Sequence, residues 1–259
     1  MTSYEAAILD VDGTIVRGEE LLPNVTDGLS ALDDAGIDRL LFSNNPTRGS
    51  DHYGEKLEPH GIAIDSDSVL TSATVSATYL ATTHPDERVY LVGSERLETI
   101  LADAAVELTD DPERADVVLG SFDKAFSYSA LWEALRALDD DVPFYGTDPD
   151  ATIPVDGGLI PGTGAILAAM EAVAGREPDA ILGKPSTIAA TAAMDRLEAA
   201  PEQTLVVGDR LNTDIELGNR AGMTTALVRT GVTDQTTLET SPIQPDYVLD
   251  SLADIETLL

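Results

Sequence analysis

The stretch Ala6-Ala-Ile-Leu-Asp-Val-Asp-Gly-Thr14 decides how this chain is read. Ala6 to Val11 is a short apolar run of the kind that forms a strand buried on both faces. Asp10-Val-Asp-Gly-Thr14 lies at its end and presents two carboxylates, Asp10 and Asp12, two residues apart. In a parallel sheet the end of the strand is the edge where ligands bind. Gly13 permits the tight turn that brings backbone close to a ligand. The plain alternative is a turn carrying solvated acids, and its position directly after a buried strand argues against it.

The same grammar extends outward. Val25 to Ala35 has helical periodicity and is stopped by Gly36, and Ile37 to Ser43 reads as a second strand. Helices are expected around Ser50 to His60 and Ser72 to Thr83. Far along the chain, Thr204-Leu-Val-Val-Gly is another buried strand, followed by a helix ending near Gly222 and a strand from Thr224 to Val228. Strands joined by helical crossovers imply an α/β fold with a doubly wound parallel sheet. The middle repeats the pattern by itself: strands at Arg88 to Gly93 and Asp116 to Gly120, helices at Glu95 to Ala105, Ser129 to Leu138 and Gly164 to Ala174, with a long loop after Pro143-Phe-Tyr-Gly. We therefore expect a core formed by residues 1–84 and 183–259, and an inserted α/β domain at 85–182 with hinges near Pro85 and Gly175 to Pro178.

Composition excludes several kinds of function. The 259 residues carry 15 Lys and Arg against 47 Asp and Glu, a formal charge of −32. A surface this negative repels the phosphates of nucleic acid and of anionic membranes, so neither is an expected partner. No apolar run approaches the roughly 18 residues of a spanning helix. Met1 to Asp10 carries two acids and no base, unlike a signal peptide, so the chain reads as soluble and cytoplasmic. The acids are dispersed through periodic sequence and lysine occurs only at 56, 124 and 184, which together suggest a folded protein adapted to a salt-rich, halophilic cytoplasm. With no cysteine, thiolate metal sites and cysteine nucleophiles are ruled out. His52, His60 and His84 are too few and too scattered to supply chemistry that needs several histidines.

Three further motifs fall at expected strand ends or stand out by composition. Ser43-Asn-Asn-Pro46 closes the second strand, where a hydroxyl and backbone N–H groups suit phosphate oxygens, although the same residues also make turns and helix caps. Gly183-Lys-Pro185 holds one of the three lysines; Pro178 and Pro185 prevent it from being a nucleotide P-loop. Gly208-Asp-Arg-Leu-Asn-Thr-Asp214 places Asp209 just beyond a strand, while Asp214 either reaches back to the same point or stabilises the next helix N-terminus. Asp10, Asp12, Asp209 and Asp214 together would repel one another, which a hard divalent cation, Mg²⁺, would resolve. Gly162-Thr-Gly164 lacks the third glycine of a dinucleotide fingerprint and follows no clear strand, and there is no Gly-x-Ser-x-Gly elbow.

In this order the four motifs resemble the haloacid dehalogenase superfamily of aspartate-nucleophile phosphatases. An insertion between the second and third motifs looks like a large type II cap. Thr147-Asp-Pro-Asp150, Pro161-Gly-Thr-Gly164 and Ala221-Gly-Met-Thr-Thr are similar to further marks of the NagD-like, para-nitrophenyl phosphatase subgroup. Asp148 departs from it, standing where that subgroup is expected to carry Asn, through general acidification or a changed substrate. The resemblance implies that Asp10 is the nucleophile and Asp12 the general acid and base. It implies that Ser43, Asn44 and Lys184 hold the phosphate, and that Mg²⁺ binds Asp10, the Asp12 carbonyl and Asp209, with Asp214 as ligand or neighbour.

The expected activity is hydrolysis of a small phosphorylated metabolite. Phosphotransfer to a second alcohol, as in a mutase, and a non-catalytic metabolite-binding role are the alternatives. The core motifs address phosphate, metal and the bridging oxygen only, so substrate choice is expected from the insertion, through Asp148, Asp150, Gly162 and Gly164. Monomer and homo-oligomer are both left open.

Overall fold

A computed structural model describes residues 4–155 and 157–259. Met1, Thr2 and Ser3 of the N-terminal stretch read above lie outside the described residues. The chain divides into two compact units: one comprises the chain through Ser43 with Ser50–Leu70 and Ala189–Leu259, the other Asn44–Gly49 with Thr71–Ile188.

The first unit is organised by a six-stranded sheet in the order Tyr247–Leu249, Thr224–Val228, Thr204–Gly208, Ala6–Leu9, Asp38–Ser43, Val69–Thr71. Ala6–Leu9 is central and parallel to both neighbours, with Leu9 opposite Val207 on one side and Leu41 on the other. Alternate residues serve two layers. Ala7, Leu9, Leu41, Leu205 and Val207 join one hydrophobic cluster with Leu29 and Leu32 of the helix Val25–Asp34 and with Leu252 and Ile255. Ile8, Leu40 and Val206 are equally buried from the opposite face. Burial on both faces explains the unbroken apolar runs. The helix Val25–Asp34 ends as expected, with Gly36 in the left-handed region at φ 71°.

Because the central strands are parallel and in this register, their C-terminal ends coincide. Asp10 follows one strand, Asp209 follows the next and Ser43 ends the third. The amide of Asp10 still donates to Val207 O at 2.9 Å, so the first of these residues is fixed by the sheet itself.

The second unit contains a parallel four-stranded sheet, Ala180–Ile181, Phe144–Gly146, Val117–Gly120, Val89–Val92. Val117 and Leu119 face one cluster with Leu97 and Leu101, while Val118 faces another with Phe144, Ile166 and Met170. The compact unit extends beyond residues 85–182. The helix Ser72–Thr83 contributes Ala73, Ala77 and Leu80 to the first of these clusters, and Leu182 lies in it too.

Two readings of the region after Gly146 need correction. The stretch read as a long loop contains an antiparallel hairpin, Thr152–Val155 with Gly158–Pro161, in which Gly157 and Gly158 have positive φ. Consequently Gly162-Thr-Gly164 does follow a strand. Its two prolines and mostly exposed residues gave this hairpin no buried period-two pattern to be found by.

Candidate active site

In the first unit, Asp10, Asp209 and Asp214 each offer a carboxylate oxygen, all within 4.8 Å of one another and all buried. Asp10 comes from the central strand end and Asp209 from its neighbour. Asp214 lies in a π-helical turn, Leu211–Ile215, and turns back so that its Oδ2 accepts from the amide of Arg210 at 3.1 Å. It thus reaches the cluster as well as standing before the helix Glu216–Ala221.

Glycines make room for these acids. A Cβ at Gly13 would lie 2.5 Å from Asp209 Oδ2, and one at Gly231 only 1.7 Å from it. Gly13 also takes φ 97°, which a side chain would strain. The Thr230-to-Thr233 segment holds this carboxylate and the main chain around it: Val232 N donates to Asp209 Oδ2 at 2.7 Å, Thr233 Oγ1 to the main-chain carbonyl of Asp209 at 2.6 Å, and Thr230 Oγ1 to that of Gly13 at 2.6 Å. Sequence reading missed this segment. Its only signal was a glycine just past the strand Thr224–Val228, at the same edge of the sheet.

Three carboxylates this close repel by about 3 kcal/mol per pair at an effective dielectric near 20. Burial adds a desolvation penalty, since the charges lose water. Hard anionic oxygens converging in this way fit a divalent cation such as Mg²⁺.

Asp12 is placed differently. Its side chain is 54% exposed and outside the carboxylate trio, with Lys56 Nζ 3.7 Å from Oδ1. Only a main-chain atom of Asp12 is therefore a candidate for the metal, and its carboxyl is open to solvent. Lys56 was not singled out from sequence, although it is one of only three lysines. Ser43 is buried, and its Oγ accepts from Tyr53 OH at 2.8 Å. Tyr53 is buried in the helix Asp51–Leu57 and reads in sequence as an ordinary core aromatic.

The second unit holds Asn44 and Lys184. Lys184 is 1% exposed, which sets it apart from a surface lysine. Lys184 N donates to Asn44 Oδ1 at 2.9 Å, and Asn44 Nδ2 donates to Lys184 O at 3.0 Å.

In the same unit the four insertion residues form one connected turn. Gly164 N donates to Asp150 O and Gly162 N to Ala151 O, both at 2.9 Å. A Cβ at Gly162 would lie 2.3 Å from Asp150 O, so the two loops touch backbone to backbone. Asp148 is fully buried: Oδ2 accepts from Thr147 Oγ1 at 3.0 Å and Thr163 Oγ1 at 2.7 Å, and Oδ1 from Asp150 N at 3.2 Å. Asp148 acts on the shape of this turn from inside it.

Burial, with a smaller push from the Asp150 charge, raises the Asp148 carboxyl to about 7; the hydrogen bonds to its oxygens oppose the shift. The folded chain therefore holds this proton more tightly than the unfolded chain. Its contribution to stability is complete below the ordinary carboxylate range and is lost as pH rises toward about 7. Asp148→Asn keeps the shape and removes the titration. The variant is expected to melt about 5 °C above the parent near pH 8, and nearer to it around pH 5. Thermal unfolding across this range checks it; a constant gap at every pH would contradict the assignment.

Among the described residues no helix is long and apolar enough to cross a membrane.

Known proteins resemble this chain along nearly its whole length. The profile of haloacid dehalogenase-like hydrolases matches residues 7–107, and a second hydrolase profile of that type matches residues 181–255. The acid sugar phosphatase of Staphylococcus epidermidis is 33% identical over 97% of this chain and 96% of its own. Among solved structures, the p-nitrophenyl phosphatase of Archaeoglobus fulgidus superposes with a TM-score of 0.93 at 31% identity, covering 99% of this chain and 100% of that one. NagD from E. coli K-12 gives a TM-score of 0.87 at 27% identity, covering 98% of each chain.

Proposed function

The chain belongs to the haloacid dehalogenase-like hydrolases, as one of their NagD-like phosphatases acting on phosphomonoesters, and from that premise we propose that it hydrolyses small phosphorylated metabolites through an aspartyl-phosphate on Asp10, with Mg²⁺ as its metal. The observation that carries this reading is the convergence of the buried carboxylates of Asp10, Asp209 and Asp214 at the C-terminal edge of the central strands.

In the first half-reaction a carboxylate oxygen of Asp10 attacks phosphorus. The bond from phosphorus to the ester oxygen breaks, and Asp12 gives its proton to the departing alcohol. In the second, water attacks the same phosphorus, Asp12 takes the water's proton, and Asp10 is released with inorganic phosphate. The Asp12 side chain is open to solvent, which leaves it accessible to a departing alcohol and to incoming water. Ser43 and the main-chain N–H groups that follow it hold phosphate oxygens, with the Ser43 hydroxyl oriented by Tyr53. Lys184 neutralises charge on the transferring group. Asp10, Asp209, Asp214 and the Asp12 carbonyl would hold Mg²⁺. When bound, the ion offsets the repulsion within the trio and the negative charge of the phosphoryl oxygens.

We assign substrate choice to the inserted segment at 85–182, with Asp148, Asp150, Gly162 and Gly164 fixing the shape of one of its turns. The similarity to an acid sugar phosphatase supports a sugar phosphate as the first substrate class to test. Nucleotides, phosphoglycolate and glycerol phosphates belong in the same screen of phosphate release.

Chelation is expected to abolish hydrolysis and Mg²⁺ to restore it, with Ca²⁺ substituting poorly because it prefers more ligands at longer distances. An independent readout is the melting temperature without substrate. At about 100 times its Kd, Mg²⁺ adds about 2.7 kcal/mol, or about 5–10 °C for a chain of this size. Full activity after exhaustive chelation, or a melting temperature indifferent to Mg²⁺, would refute the metal assignment.

A further inference from the structure

We propose that the side-chain amide of Asn44 is a two-point clamp on the main chain of Lys184, which makes Asn44 a positioning residue for that lysine rather than a side-chain ligand of phosphate. The proposal rests on the reading of Lys184 as the cation of the phosphatase site and adds how that cation is held.

The geometry is reciprocal. Asn44 Oδ1 accepts from Lys184 N at 2.9 Å, while Asn44 Nδ2 donates to Lys184 O at 3.0 Å, across 140 positions of sequence. One planar group thus satisfies both polar atoms of one residue's backbone. This pattern demands an amide. A carboxylate would set oxygen against the Lys184 carbonyl, and a hydroxyl is too short to reach both atoms.

The neighbouring chain is arranged around the clamp. Ser72 Oγ donates to Asn44 O at 2.8 Å, fixing the residue that carries the amide. Gly183 N donates to Thr147 O at 2.8 Å, fixing the residue before the lysine. A Cβ at Gly183 would lie 2.9 Å from Asn44 Oδ1 and 2.6 Å from Thr147 O, so the glycine of Gly183-Lys-Pro185 lets the clamp close. Lys184 itself is buried, so its side chain does not move freely in water and the place of its main chain bears directly on where the ammonium lies. A group that stabilises transition-state charge must be in place before the reaction, because misplacement by about 1 Å costs on the order of a hundredfold in rate.

A double-mutant cycle tests this, with turnover of 4-nitrophenyl phosphate measured for the full chain, Asn44→Ala, Lys184→Ala and the double variant. Asn44→Ala is expected to lower kcat about ten- to a hundredfold while KM stays within about threefold. In the Lys184→Ala background the same substitution is expected to change kcat by less than about twofold, because there is no longer an ammonium to misplace. Multiplying effects, or a rise in KM with kcat unchanged, would overturn the proposal and leave Lys184 as the catalytic cation. Undiminished turnover in Lys184→Ala alone would overturn both, and it is read before the cycle is complete. If Asn44→Ala fails to fold by thermal melting, Asn44→Asp retains the shape, loses the donated bond to Lys184 O and is read by the same cycle.

Discussion

Asp10→Asn is expected to reduce turnover by about 10⁴-fold or more while leaving the fold intact, because an amide of nearly the same shape is a poor nucleophile. The side chain follows a strand end whose backbone is tied to Val207, and Asn has nearly the shape of Asp. The substitution has a second effect. It takes one charge from a trio of carboxylates within 4.8 Å, so metal affinity falls along with nucleophilicity. Melting with and without Mg²⁺ separates the two. A variant that still gains stability from the ion yet does not turn over has lost its nucleophile. Near-normal turnover, with deamidation back to Asp excluded by mass, would remove Asp10 from the mechanism.

The second large effect is expected at Lys184. Replacement by Ala should lower kcat by about 10²–10³, the loss of about 3–4 kcal/mol typical for deleting one preorganised group that stabilises transition-state charge. Arg is not expected to restore it. Lys184 is fully enclosed, and a planar guanidinium fork occupies more space and presents its donors in a different geometry from a compact ammonium. Saturating kinetics at several phosphoesters would check the prediction. A change of less than about threefold would return Lys184 to the status of an ordinary buried residue whose charge is irrelevant to turnover.

The strand ends to which we assign the chemistry were legible because strands buried on both faces leave unbroken apolar runs, and carboxylates directly after such runs stand out. Asp10 and Asp209 are of this kind. Asp214 was legible as a candidate, but only coordinates distinguish a cap residue from one that turns back to Asp209 and Asp10. Long-range partners left weaker traces. Tyr53 reads as core, and nothing local marks it as the donor to Ser43. The 230–233 segment reads as a loop, and its hold on Asp209 depends on two parallel strand ends being neighbours. Asn44 was read through its backbone and as a turn former; its amide meets Lys184 only through folding that joins positions 140 apart. Asp148 was noticed as an unusual acid, yet the shortest of its three accepted bonds comes from Thr163, fifteen residues away. Sequence periodicity reports which face of an element is buried, and it is silent on which buried polar atom answers another.

The aspartyl-phosphate is tested most directly by quenching the enzyme during turnover of a phosphomonoester, reducing with borohydride and sequencing the modified peptide by mass. Borohydride converts an acyl phosphate to the corresponding alcohol, so homoserine at position 10, dependent on substrate and absent from Asp10→Asn, is the expected result. An unmodified Asp10 in enzyme caught during rapid turnover, or the label appearing on another residue, would contradict it.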